Sequence, residues 1–183
     1  MIDYRKFSKL AETAAKLAGE SILSLYHKDV LISNKVDGSP FTKADQASHQ
    51  VLVGLLAKTY IPIVSEEAKD LYQDSTLYWL IDPLDGTKDF LAGNDEFTVN
   101  IALIENGSPI LGVLYAPALD ELYVAIKGEV VWRERHGIRN LCQATPKGSQ
   151  LIMAVSRFHD HPDTLLFAAD NYVTERIPIG AAL

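Results

Sequence analysis

From Tyr4 to Tyr26 the apolar residues Phe7, Leu10, Ala11, Ala14, Leu17, Ala18, Ile22 and Leu25 return at steps of three and four, with charges between them. That period predicts an amphipathic helix. A second helix is expected over 43–59, with Ala47, Val51, Leu55 and Leu56 on its inner face. Between the two, residues 31–35 alternate as a strand would, and Asp37-Gly38-Ser39-Pro40 is turn chemistry.

Beyond residue 60 the pattern changes to short apolar runs. Ile61-Pro62-Ile63-Val64 predicts a strand that delivers Ser65-Glu66-Glu67 at its end, and Leu77-Tyr78-Trp79-Leu80-Ile81 predicts another that ends in Asp82-Pro83-Leu84-Asp85-Gly86-Thr87. A short helix is expected to start at Thr87 and run through Phe90. Residues 97–104 and 110–115 form a hairpin pattern around Glu105-Asn106-Gly107-Ser108, and 121–126 and 129–133 a second around Lys127-Gly128. A strand over 151–155, a helix over 162–171 and an edge or terminal strand over 173–179 complete the chain.

Helices first, then a largely antiparallel meander, then a mixed tail predict an α+β fold, a layered α/β sandwich, over a strictly doubly wound sheet. Two units are expected: an N-terminal α+β metal-binding domain over 1–145 and the start of a C-terminal α/β domain over 146–183. The segment from Gln143 to Ser149 divides them.

Composition narrows the function classes. The chain has 183 residues, 48% hydrophobic and 22% charged, with a formal net charge of −7. It is long enough for a sizeable core and too acidic for a general nucleic-acid or anionic-membrane binder. A phosphate ester remains a fitting partner if a cation brings it in. The single cysteine, Cys142, has no intramolecular disulfide partner and reads as a small buried hydrophobe. No signal-peptide core or membrane-length run stands out, so a cytoplasmic location is expected, with peripheral inner-membrane association left open.

The chemistry lies where apolar strands end in acid. Asp82 and Asp85 stand three positions apart on an expected turn, where Pro83 fixes one backbone angle and Gly86 opens conformations closed to other residues. Glu66, Asp82, the Leu84 carbonyl and Asp85 suit magnesium, which takes about six oxygen ligands. No His or Cys cluster accompanies them, which argues against zinc. Taken alone, Glu66-Glu67 reads as a solvated acid pair, whereas Asp82 to Thr87 places negative charge beside the core unless a cation neutralises it. Thr87 could equally be a helix N-cap. His49, His159 and His161 read as surface or capping residues, and Tyr123 and Trp132 as packing residues.

Four ordered segments carry a family resemblance: Asp37-Gly38-Ser39-Pro40-Phe41-Thr42-Lys43-Ala44-Asp45, Ser65-Glu66-Glu67, Asp82-Pro83-Leu84-Asp85-Gly86-Thr87-Lys88-Asp89-Phe90 and Phe97-Thr98-Val99-Asn100-Ile101-Ala102. Together they resemble the lithium-sensitive, magnesium-dependent inositol monophosphatase superfamily over essentially the whole chain. Asp-Gly-Ser-Pro and Gly-Thr-Lys-Asp-Phe resemble most its bacterial CysQ-type branch of 3'(2'),5'-bisphosphate nucleotidases. The resemblance implies removal of the 3'-phosphate of adenosine 3',5'-bisphosphate, a by-product of sulfate assimilation, by direct in-line attack of an activated water. It implies a first magnesium on Glu66, Asp82 and the Leu84 carbonyl, and a second on Asp82 and Asp85. Thr87, with Glu66 or Asp37, would polarise the water; Asp85, Gly86 and Thr87 would cradle phosphate; Asp45, after Thr42, would orient this network. Glu67 is the less fitting metal ligand of its pair.

The chain departs from the family pattern at its end, where Ile179-Gly180-Ala181-Ala182-Leu183 stands in place of a Gly-Ser-x-Leu-Lys segment and no Trp-Asp motif follows. The C-terminal layer is therefore expected to be incomplete. The expectations drawn are one well-bound magnesium, slow turnover, and a truncated frame, a cleaved fragment or a natural short form. Inositol monophosphate, histidinol phosphate and fructose 1,6-bisphosphate stay open as substrates, a non-catalytic metal- or phosphate-binding remnant as another class, and monomer or homodimer as the assembly.

Overall fold

The computed structural model describes residues 3–28, 32–34, 40–67, 75–129, 131–144, 151–158 and 161–183. Helix α1 spans Tyr4–Leu23 and α2 spans Lys43–Leu56, continued by a 3-10 turn over Ala57–Thr59. Asp3 starts α1 by accepting from the Lys6 amide at 3.1 Å. On α1 the inward stripe is Ala11, Ala14, Ala15, Ala18 and Ile22, all fully buried. Small side chains let the helix lie close: a Cβ on Gly19 would come within 2.6 Å of the Tyr115 ring.

The inner face of α2 differs from the expected one. Ala44, Asp45, Ser48, Leu52 and Leu56 are buried, while Ala47, Val51 and Leu55 flank them half-buried. Counting apolar residues misplaces the face because two positions of its inner stripe are polar.

Strands β1 (Ile32–Asn34) and β2 (Pro40–Thr42) form a small antiparallel pair. The expected turn at residues 37–39 lies outside the described residues. The main sheet has seven strands in the order β3 (Ile63–Ser65), β4 (Leu77–Asp85), β5 (Thr98–Glu105), β6 (Ser108–Ala116), β7 (Glu121–Ile126), β8 (Val131–Arg135) and β9 (Ile138–Cys142). All neighbours run antiparallel except β3 with β4. Strand β9 has no expected counterpart, because its residues alternate too weakly; Arg139 and Asn140 lie exposed in its middle. Cys142, at its end, is half-buried.

Both helices cover one face of this sheet, where Trp79, Ile81, Val99, Ile101, Leu103, Leu111, Val113 and Leu122 make the core. At about 25 cal/mol per Å² of apolar area, this burial is the main stabilising term. The opposite face carries Leu80, Ala102, Gly112, Leu114, Tyr123 and Ala125, and Leu80 remains 43% exposed.

Helix α3 (Thr87–Ala92) follows β4 directly. Strand β10 (Leu151–Ser156), helix α4 (Pro162–Asp170) and strand β11 (Val173–Ile179) form a separate unit with β10 and β11 parallel. His161 caps α4, as its position suggested; His159 lies outside the described residues. Arg157 ties this unit to the main body through ion pairs with Asp89 and Glu96, and the Gly180 amide donates to Glu96 at 2.8 Å. The observed order is the α+β one expected. The division near 145 falls among residues 145–150, outside the described residues. No described helix is long and apolar enough to cross a membrane.

Candidate active site

Asp82 to Asp85 lie not on a turn after the strand but inside β4, which runs on to Asp85. Asp82 pairs with Asn100 and Asp85 with Thr98, so three steps along β4 match two along β5. The extra residue is a bulge, and Pro83 fits there because a bulged position forgoes a ladder donor. In a regular strand, positions three apart face opposite ways; the bulge re-aims Asp85 relative to Asp82. Gly86 then turns the chain at φ 84°, where an added Cβ would meet the Glu96 carbonyl oxygen at 3.0 Å. Gly86, not Thr87, occupies the N-cap position of α3, and Thr87 is its first residue.

Parallel pairing sets Ser65 beside Ile81 and brings Glu66 to the same end of the sheet, its amide donating to the Ile81 carbonyl at 3.1 Å. Glu66, Leu84, Asp85, Gly86 and Thr87 line one cleft of about 220 Å³, with Lys88 on its wall and Ser156 and Ala181 contributed by the C-terminal unit. Asp82 lines instead the adjoining groove of about 690 Å³, which Glu66 shares. Glu66 thus stands between the two. Asp37 lies outside the described residues.

Thr87 is held from α2. Its hydroxyl lies 3.2 Å from both Asp45 Oδ1 and the Leu84 carbonyl, its two acceptors. Asp45 is fully buried and its Oδ2 accepts from the Thr42 amide and hydroxyl, each at 2.7 Å. Thr42 Oγ1 accepts from the Ala44 amide at 3.0 Å and also from the Asp45 amide, which with Asp45 accepting from the Thr42 amide makes a capping box. One acid therefore starts a helix and fixes the hydroxyl of Thr87.

Burial pushes the Asp85 carboxyl above its ordinary range; the Asn100 hydrogen bond opposes this, the negative charge of Glu66 adds to it, and the Ala182 and Gly86 amides oppose it. Three acids line the cleft; Asp89 is paired with Arg157, and Glu66 beside the desolvated Asp85 favours a cation. The donors are hard oxygens, as magnesium prefers. Among the described residues, no group of three or more His, Cys, Asp or Glu side chains is gathered for a metal. Glu66 and Asp85, with Leu84 on the same wall, fit such an ion with its remaining positions taken by water or substrate oxygens.

Three residues here escaped sequence reasoning. Asn100, opposite Asp82, donates to Asp85 at 3.2 Å. Ser48 donates to the Pro83 carbonyl at 2.6 Å, and His49, expected on the surface or at a cap, is half-buried with Nδ1 3.0 Å from Ser65 Oγ. The available signal was polarity out of place: Ser48 and His49 follow Asp45 by three and four positions, and Asn100 interrupts an apolar strand.

A meander sheet under two helices gathers acids at the ends of its parallel strand pair, and the profile of the inositol monophosphatase family matches residues 3–176. The chain belongs to that family. It is 43% identical over 152 residues to the 3'(2'),5'-bisphosphate nucleotidase CysQ of Shigella flexneri, across 79% of this chain and 61% of that protein. The CysQ of Salmonella typhimurium is 45% identical over 152 residues, with the same coverage of 79% and 61%. Among solved structures, CysQ from Bacteroides thetaiotaomicron, a bacterial member of the family, superposes with a TM-score of 0.79 at 32% identity, over 96% of this chain and 72% of that one. The chain thus spans 61% of the length of the two curated relatives.

Proposed function

We propose that this chain carries the catalytic acids of a magnesium-dependent phosphomonoesterase that removes the 3'-phosphate of adenosine 3',5'-bisphosphate. The observation that carries the reading is the convergence of Glu66, Leu84, Asp85, Gly86 and Thr87 on one cleft. The identity of 43–45% to proteins named 3'(2'),5'-bisphosphate nucleotidase supports the substrate. Glu66, Asp82, Asp85 and the Leu84 carbonyl would hold magnesium. When bound, magnesium supplies an acidified water and neutralises phosphoryl charge. Glu66 and Thr87 orient the attacking water and draw its proton away, with Asp45 fixing Thr87; Asp37 belongs to the same role by resemblance. Gly86 provides the left-handed backbone that carries the chain from Asp85 to Thr87 on the cleft wall, where the phosphate would sit. The division at residue 145 and a cytoplasmic location belong to the same proposal, with 146–183 closing the cleft through Ser156 and Ala181.

The test is phosphate release from adenosine 3',5'-bisphosphate with magnesium, with and without lithium, against inositol 1-phosphate, histidinol phosphate and fructose 1,6-bisphosphate. Asp82→Asn is expected to lose metal-dependent release at least about a hundredfold while keeping the fold, because a ligand carboxylate becomes a neutral amide. Full activity in that variant would sink the assignment. A second reading is a domain that binds one cation and phosphate without turnover: of the three acids lining the cleft, Asp89 is taken up by Arg157. Magnesium binding with no hydrolysis of any of these esters would decide for it.

A further inference from the structure

Helix α2 reaches the site at three places. Asp45 holds Thr87, Ser48 holds the Pro83 carbonyl in the β4 bulge, and His49 meets Ser65 at the end of β3. These residues stand three and four positions apart, hence on one side of the helix. The third contact extends further: Ser65 Oγ, on a residue 5% exposed, also lies 3.3 Å from the Glu67 amide, which donates to it. A buried hydroxyl proton needs an acceptor, and among the described residues His49 Nδ1 is the one within reach. The network therefore assigns the imidazole proton to Nε2 and leaves Nδ1 to accept from Ser65.

The order is consecutive and directional. His49 fixes the Ser65 hydroxyl, the hydroxyl fixes the Glu67 amide, and Glu66 lies between the two anchored residues with its own amide on the Ile81 carbonyl. Glu66 is exposed, and its backbone leaves the end of β3 in this turn. We propose that His49 is a positioning residue that acts through Ser65 to set the turn carrying Glu66. The proposal rests on Glu66 being an acid of the metal site. A histidine that merely fills space would leave the turn unchanged when replaced by a side chain of similar size.

His49→Leu keeps bulk and removes the acceptor, His49→Asn puts Oδ1 where Nδ1 lies, and Ser65→Ala removes the hydroxyl without touching α2. Amide hydrogen exchange at Glu66 and Glu67 and the magnesium dissociation constant are measured on the whole chain, with near-ultraviolet circular dichroism confirming the fold. In His49→Leu and Ser65→Ala the Glu67 amide is expected to exchange about tenfold faster and magnesium to bind about tenfold more weakly, the loss of one buried hydrogen bond. His49→Asn restores both. Wild-type exchange at Glu67 in His49→Leu, or the same defect in His49→Asn as in His49→Leu, overturns the proposal. If wild type binds no magnesium, the metal reading of Glu66 fails separately, and the exchange rates still decide whether His49 sets the turn. Should His49→Leu not fold, Ser65→Ala carries the same two readouts.

Discussion

Burial pushes the His49 imidazole below its ordinary value of 6.5, because the charged ring loses water. Between the folded value and 6.5 the unfolded chain therefore holds more protons than the folded one. Stability is fully present above pH 6.5 and falls as pH drops through that window. Urea unfolding at pH 8 and pH 5.5 should show a larger loss for wild type than for His49→Asn, since the carboxylates common to both cancel. Equal losses would remove His49 from the account. At this scale the placing of Glu66 and Asp82 at the ends of neighbouring strands was legible in the sequence, because each follows closely on an apolar run. His49 and Ser48 were not: their partners Ser65 and Pro83 lie 16 and 35 positions away, and no local pattern pairs them.

Elements were legible where their period was unbroken. Helix α1 ends three residues before the periodicity does, and the β5–β6 hairpin turns at Asn106-Gly107 as its chemistry required. The misread elements share a cause, polar residues serving structure. Asp45 and Ser48 shifted the apparent face of α2, and the acid-rich end of β4 looked like a turn when it was a bulged strand. Helix α2 depends on its first turn more than its apolar count suggests. Thr42→Ala removes the N-cap acceptor and one donor to a fully buried carboxylate, and should cost about 1–2 kcal/mol by urea denaturation. Thr42→Ser, which keeps the hydroxyl, should lose much less; equal losses would assign the effect to the missing methyl.

For the whole molecule, one face of the seven-stranded sheet is a core and the other is an apolar surface beside the site. The C-terminal unit is similar: Ile152, Leu165, Leu166, Phe167 and Ile177 are all between 40% and 63% exposed. Contiguous apolar surface of this kind is uncommon on an isolated soluble domain. The folded chain is expected to enhance the fluorescence of an apolar-surface dye while its near-ultraviolet dichroism stays native. A native signal without dye enhancement would mean that these faces are covered in solution. The sequence carried the alternation that builds the sheet, but alternation does not say which of two apolar faces a helix will cover. Trp79 and Ile81 are settled only by the helices that reach them.

Strand β3 is three residues long and, among the described residues, pairs with β4 on one side only. Its few hydrogen bonds can open while β5 to β9 stay zipped, so the fold and the acid turn do not share one free energy. A chain could thus remain folded by every global measure and yet spend part of its time without Glu66 in place. What limits such a site is the fraction of molecules whose edge is closed, a population that contacts from α2 can raise without adding anything to the core.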